Sequence, residues 1–302
     1  MSLDFNGKVA IVTGSGGGIG KGYALELAKR GAKIVVNDLG GAVDGTGGSV
    51  SAAEAVVQEI ESNGGEAIAN GANVSVQSEV KSMVEDAVKK WGKVDILINN
   101  AGILRDKSFG KMEWSDFEAV INVHLIGSAL CAHSVFPVMK EQGYGRIIMT
   151  SSSSGLFGNF GQTNYGAAKA GIAGFTRSLS FEMAKYKCTV NTISPGAATR
   201  MTIDLIKAAG RDVDVNDWKQ GPQQLAPVIT WLCCDEASDV TNQIIHVQNG
   251  TVGIMQQPAV IESFLSEELW SLDQLDRVIG NLVETKKNHD SEVQKKAEPK
   301  KS

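Results

Sequence analysis

The sequence predicts an α/β fold: a doubly wound, parallel, seven-stranded sheet with helices on both faces and a helical extension at the C-terminus. Three observations predict it. Short apolar, β-rich runs alternate with helix-forming stretches from Lys8 to Val247. The first run opens into a glycine-rich turn and then a helix. The chemically distinctive residues fall at the carboxyl ends of the runs, which is where open α/β sheets with right-handed crossovers bind ligands.

Lys8-Val-Ala-Ile-Val-Thr13 is the first strand, followed by Gly14-Ser-Gly-Gly-Gly-Ile-Gly20 and a helix over Lys21 to Arg30. Gly14, Gly18, Ile19 and Gly20 bring backbone close to a pyrophosphate, and the helix start turns free N–H groups toward its charge. The spacing is G-x-x-x-G-x-G, not the G-x-G-x-x-G of other dinucleotide folds. Lys33 to Asp38 is the second strand, and Asp38 lies 18 positions after Gly20. Asp38 is either a polar strand end or an acceptor for a ribose 2′-OH. The second reading selects NAD, because a carboxylate repels the 2′-phosphate of NADP. Gly16 and Gly17 leave no basic side chain in the turn to hold that phosphate.

Leu39 to Gly48 is a glycine-rich loop, either a linker or, as preferred here, a segment packed beside the adenosine. A helix follows over Ser51 to Asn63, then a third strand over Glu66 to Asn70 with Asn73-Val74 beyond it, near the adenine position. Glu79 to Trp91 has helical spacing of apolar residues. Val94 to Ile98 is the fourth strand and leads into Asn99-Asn-Ala-Gly102, where Asn100 and its small neighbours can approach a ligand and tie strands together. Trp114 to Met139 is one long helix or two. Arg146 to Thr150 is the next strand, with four serines at its end.

Tyr165 and Lys169 stand four residues apart on the helix expected over Asn164 to Arg177, hence on one face. An ammonium beside a phenol favours the phenolate, so the tyrosine pKa is expected to fall from about 10 toward neutrality. Such a tyrosine can exchange a proton with a substrate hydroxyl near pH 7. Cys188 to Ser194 is the sixth strand, ending in Pro195-Gly196 before Thr199. Residues 200–222 are polar and mixed, and are expected to form a flap over the substrate. Gln224 to Cys234 is helical, and Asn242 to Val247 is the last strand.

Three segments are expected: a catalytic domain over 1–257, a helical extension over 258–285, and a charged tail without fixed structure over 286–302. Within the extension, Ser263 to Val283 suits one or two amphipathic helices, with Ser271 and Gln274 placed as a capping box. These helices pack on their own domain or on a partner subunit. The net charge of −5 lacks the footprint of a nucleic-acid binder. No apolar stretch reaches the 18 residues of a membrane span, and the N-terminus has no signal-peptide pattern. Four cysteines, at 131, 188, 233 and 234, have no metal-ligand spacing and read as buried thiols in a reducing compartment. No metal site is expected, and the expected location is cytoplasmic.

The chain resembles the short-chain dehydrogenase/reductase family over about residues 5 to 255. The resemblance rests on Thr13-Gly14-x-x-x-Gly18-Ile19-Gly20, Asn99-Asn-Ala-Gly102, Ser152 thirteen residues before Tyr165, Tyr165-x-x-x-Lys169, and Pro195-Gly196. A narrower likeness lies in Asn37-Asp-Leu-Gly-Gly41, Ile103-Leu-Arg-Asp-Lys-Ser-Phe109, Met149-Thr-Ser-Ser-x-Ser-Gly155 and Gly158-Asn-Phe-Gly-Gln162. These are similar to the (3R)-hydroxyacyl-CoA dehydrogenase unit of peroxisomal multifunctional enzymes. Where those enzymes continue into further domains, this sequence continues into its helical tail.

The resemblance implies a Rossmann fold and an NAD-dependent oxidoreductase interconverting a secondary alcohol and a ketone. The implied substrate is a 3-hydroxyacyl-CoA or related CoA thioester. Alternatives are a hydroxysteroid or aromatic-alcohol dehydrogenase, and a subunit that binds NAD without chemistry. Tyr165 is implied as general acid/base, Lys169 as its modulator and holder of the nicotinamide ribose, and Ser152 as the substrate-oxygen contact. Asp38, Asn73, Val74, Asn100 and Thr199 are implied NAD contacts, with Pro195 beside them. A homo-oligomer, dimer or tetramer, is also implied. His124 stands where many relatives have an asparagine that holds a water leading to the lysine. It can serve through a ring nitrogen, through its carbonyl, or only as a packed helix residue.

Overall fold

The computed structural model describes residues 3–199, 203, 210, 212–214 and 216–296. The chain divides into two compact units, Met1–Met255 and Gln256–Ser302. In the first, the described elements run β1 Val9–Thr13, α1 Gly18–Lys29, β2 Lys33–Asn37, α2 Ser51–Ser62, β3 Glu66–Asn70, α3 Gln77–Trp91 and β4 Ile96–Asn99. After them come α4 Trp114–Ile121, a π-helical turn Asn122–Ile126, α5 Gly127–Gln142, β5 Gly145–Thr150, α6 Ser153–Phe157 and α7 Thr163–Ala184. The unit closes with β6 Cys188–Gly196, α8 Ala226–Cys233, β7 Ile244–Gln248 and β8 Thr251–Ile254.

The sheet order is β3-β2-β1-β4-β5-β6-β7-β8. β1 to β7 pair in parallel, as expected, and β8 pairs antiparallel with β7. The sheet therefore has eight strands rather than seven. The extra edge strand follows from Asn249 (φ 51°) and Gly250 (φ 75°), whose consecutive positive φ values make a two-residue hairpin.

Alternation along the central strands feeds two cores, one on each face of the sheet. Ala10 and Val12 of β1 join Tyr23, Leu27, Val56, Ile60, Ile229 and Leu232. Val9 and Ile11 point the other way, into Val80, Met83, Cys131, Val135, Ile172 and Met183. β1, β4 and β5 are buried along their whole length and are largely apolar on both faces; the charged exception, Arg146 of β5, is buried with its Nε bonded to Cys234 O. The four cysteines are free and buried. By length and composition Trp114–Gln142 would suffice to cross a bilayer. Here its α5 part belongs to the core, with Cys131, Ala132, Val135 and Met139 buried.

The strand order reverses direction between β2 and β4 on either side of β1. That crevice, at the carboxyl ends, is the expected ligand position in such a sheet. The flap expected over 200–222 lies partly outside the described residues.

In the second unit, one helix, α9, spans Leu272–Lys296. The capping box forms: Ser271 N donates to Gln274 Oε1 at 2.8 Å and Gln274 N to Ser271 Oγ at 3.3 Å. This cap starts the helix at Leu272, so residues 263–271, expected to be helical, are not. The helix also runs past Lys286, where no fixed structure was expected. Lys286 pairs with Asp290 one turn on, and Ser291 Oγ bonds Lys287 O, so the charges support the helix. Residues 297–302 lie outside the described residues.

Candidate active site

The glycine turn builds the first wall of the site. Gly14 has φ +63°, and a Cβ there would lie 2.7 Å from Ala101 Cα. A Cβ on Gly20 would lie 2.3 Å from Gly14 O. Gly20 therefore serves close packing and does not line the cleft, whereas Gly17 and Gly18 face open space. Gly17 precedes α1 with no side-chain cap, which leaves the first-turn N–H groups free for an anion.

A cleft of about 550 Å³ opens over this turn. Its walls include Gly14, Gly18, Ile19, Asp38, Asn73, Val74, Asn100 and Thr199. The structure thus gathers eight of the sequence-predicted cofactor residues at one place. Asp38 is held rigidly: Gly16 N donates to Oδ2 at 2.8 Å and Gly40 N to Oδ1 at 2.7 Å. Asn73 is tied by its N–H to Glu79 Oε2 at 2.8 Å. Asn100 staples the turn, donating from Nδ2 to Thr13 O at 3.1 Å and Gly14 O at 2.9 Å. The cleft volume, the open glycines and the aligned donors fit the adenosine and pyrophosphate of a dinucleotide.

Ser152, Tyr165, Lys169 and Pro195 do not line that cleft. Pro195 lies on β6 opposite Val247. Ser152 caps α6, accepting Ser154 N at 3.2 Å. Tyr165 and Lys169 project from α7, with Lys169 Nζ 5.5 Å from the Tyr165 ring centroid. Lys169 is buried, its Nζ donates to Thr150 O at 2.6 Å, and its own carbonyl accepts Ser151 Oγ at 2.8 Å.

The electrostatics differ from the sequence expectation. Burial pushes the Tyr165 phenol up to about 12; the Ser152 hydroxyl pulls the other way, and the Asp106 charge adds to the rise. Burial pushes Lys169 down to about 7. Desolvation outweighs the pull expected between the two groups, because taking either out of water penalises its charged form. The lowered tyrosine pKa expected from the four-residue spacing is not a property of the protein alone.

His124 lies buried in the π-helical turn. Its Nε2 is 2.8 Å from Ile103 O and 3.1 Å from Ile103 N, and its ring meets Tyr165 edge-on at 5.2 Å. Burial, with Lys169 nearby, holds its pKa well below the usual imidazole value. Its carbonyl accepts Ser128 Oγ at 2.6 Å.

Two residues quoted within the sequence motifs, but given no role of their own there, contribute as well. Asp106 Oδ2 accepts Gln162 Nε2 at 2.6 Å, its Oδ1 is buried without a partner among the described residues, and burial raises its carboxyl above the usual range. Thr13 Oγ1 accepts both Asn100 N at 3.0 Å and Ala101 N at 3.1 Å, locking β4 to the glycine turn. Among the described residues no group of His, Cys, Asp and Glu is arranged to hold a metal.

The short chain dehydrogenase family profile matches residues 8–209. The chain is 48% identical over 282 residues to the peroxisomal multifunctional enzyme type 2 of Drosophila melanogaster, covering 89% of this chain and 45% of that one. It is 42% identical to a 3-oxoacyl-[acyl-carrier-protein] reductase of Synechocystis, covering 81% of this chain and 97% of the other. It thus spans less than half the length of some curated relatives and nearly all of others. The crystal structure of a short chain dehydrogenase from Mycobacterium avium matches with a TM-score of 0.81 at 39% identity, over 92% of this chain and 95% of that one. Dehydrogenases of this family use a nicotinamide dinucleotide, NAD or NADP. With that profile over two thirds of the chain and a solved relative at 39% identity, the chain belongs to the short-chain dehydrogenase/reductase family and is an oxidoreductase.

Proposed function

We propose that the protein is an NAD-dependent dehydrogenase that interconverts a secondary alcohol and a ketone on a 3-hydroxyacyl-CoA or related CoA thioester. The observation that carries this reading is Tyr165 and the buried Lys169 on one helix, Lys169 Nζ 5.5 Å from the Tyr165 ring centre and tied to Thr150 O, at the end of the strand that leads into Ser152. Ser152 holds the substrate oxygen. Tyr165 removes the hydroxyl proton in oxidation and returns it in reduction. Lys169 reaches the nicotinamide ribose and shares the proton traffic of Tyr165. The cofactor supplies the hydride acceptor or donor at its nicotinamide.

Asp38 supports NAD over NADP: its carboxylate is fixed by two backbone N–H groups at the cleft wall, so it cannot swing away from a 2′-phosphate. The thioester is supported by a relative named as a 3-oxoacyl-[acyl-carrier-protein] reductase. The same reading includes a dimer or tetramer. It places the enzyme in the cytoplasm; the relatives' names make the peroxisome the alternative, which fluorescence imaging of the tagged protein separates.

The test adds NAD and racemic 3-hydroxyacyl-CoA of graded chain length and follows NADH absorbance. Free secondary alcohols and hydroxysteroids serve as comparison. Turnover of a thioester above its free alcohol is the expected result; turnover of free alcohols or steroids alone sinks the thioester assignment.

A further inference from the structure

The segment from Leu39 to Gly48 forms part of the cleft wall, with Leu39, Gly41, Ala42, Val43 and Gly45 facing in. Five of its ten residues are glycine, so it has little side chain to hold it in place and much freedom to lose. Its internal bonds only fold it on itself: Ala42 N to Thr46 O, Gly45 N to Ala42 O, and Asp44 Oδ1 accepting both Thr46 N and Thr46 Oγ1. Two bonds fasten its tip to the loop after β4. Leu104 N donates to Val43 O at 2.9 Å, and Arg105 Nε donates to Asp44 O at 2.8 Å. Gly45 lies against Ile103, where a Cβ would be 3.0 Å from Ile103 Cγ2.

Arg105 is anchored at its other end. Its Nη1 pairs with Asp116 Oδ1 at 3.4 Å, and its own carbonyl accepts Asn164 Nδ2 at 3.0 Å. Asn164 Oδ1 in turn accepts Tyr165 N at 2.7 Å. A continuous set of bonds therefore joins the tip of the glycine-rich wall to the start of the helix bearing Tyr165.

We infer that Arg105 is a positioning residue for the cofactor: it latches segment 39–48 in place as the outer wall of the adenosine compartment and fixes that wall to the catalytic helix. This rests on the dinucleotide reading of the cleft. The latch is a fork. The planar guanidinium serves Asp44 O and Asp116 at once, which a single ammonium does not. Its effect is expected on ligands that carry an adenosine half, because the cleft this segment walls is not lined by Ser152, Tyr165 or Lys169.

The test is stopped-flow release of NADH, followed by its fluorescence, from the wild type and from Arg105→Ala, Arg105→Lys and Gly45→Val. Gly45→Val opens the wall from the opposite side, since Gly45 has φ +85° and faces Ile103, and it carries the test if Arg105→Ala does not fold. Reduced nicotinamide mononucleotide, which lacks adenosine, is the control ligand. Release of NADH is expected to quicken about tenfold or more in Arg105→Ala and Gly45→Val, with the KM for the mononucleotide held within about twofold. Arg105→Lys is expected to remain fast. Unchanged NADH release, equal weakening of both ligands, or restoration by lysine, which would mark a plain charge contact, overturns the latch. A wild type that binds no NADH overturns the dinucleotide reading itself, a result distinct from these.

Discussion

Lys169 Nζ lies 5.5 Å from the centre of the Tyr165 ring, yet it gives its hydrogen bond to Thr150 O at 2.6 Å. In the protein alone, burial raises the phenol to about 12 and lowers the lysine to about 7. At neutral pH Tyr165 is a phenol, ready to donate in ketone reduction and in need of deprotonation for alcohol oxidation. The positive charge of an oxidised nicotinamide adds to that of Lys169 and lowers the phenol further. Alcohol oxidation is therefore expected to rise about tenfold in kcat/KM per pH unit on the acid side of the complex's pKa. Ketone reduction is expected to stay flat there. Paired pH–rate profiles check this.

Lys169 also links stability to pH. Its folded pKa of about 7 lies below the ordinary lysine value, so the unfolded chain binds more protons between the two. Stability from this group is present above about pH 10 and is lost as pH falls toward 7. Lys169→Met removes the charge that burial penalises. In dinucleotide-free protein the variant's Tm gain over wild type is expected to be larger at pH 6 than at pH 10, by an energy on the order of a few kcal/mol. Thermal melts across that range check it.

Asp106 sits close enough to raise the Tyr165 pKa and bonds Gln162, the residue just before α7. Asp106→Asn keeps an acceptor for Gln162 and removes the charge. The acid limb of the alcohol-oxidation profile is expected to move to lower pH by a few tenths to about one unit. A limb that stays put or moves up denies Asp106 that influence.

Much of the site was legible because its parts are local in sequence. The glycine turn, Asp38 at a strand end, and the Tyr165 and Lys169 spacing each need only one element to be read. The pKa of Tyr165 was not, since burial depends on how α6, α7 and β5 close around it. Asp106 with Gln162, and Arg105 with Asp44, were invisible because their partners are 56 and 61 residues away. β8 was missed although Asn249-Gly250 is a hairpin signal. Its four residues are few, and Val252 and Ile254 are exposed, so no buried alternation marks it. The π-helical turn at Asn122–Ile126 leaves no trace in an unbroken helical pattern.

Asp38→Asn is expected to shift preference from NAD toward NADP by about tenfold to a hundredfold, the loss of one charged hydrogen bond and one repulsion. The ratio of kcat/KM for the two cofactors reports it. An unchanged ratio moves the selectivity elsewhere on the cleft wall.

The proton route through Tyr165 is tested most directly by Tyr165→Phe, measured as NADH formation from saturating alcohol substrate beside a fluorescence titration with NADH. The variant is expected to lose about 10²- to 10⁴-fold in kcat while NADH affinity stays within about threefold. Turnover within a few-fold of wild type would contradict the route.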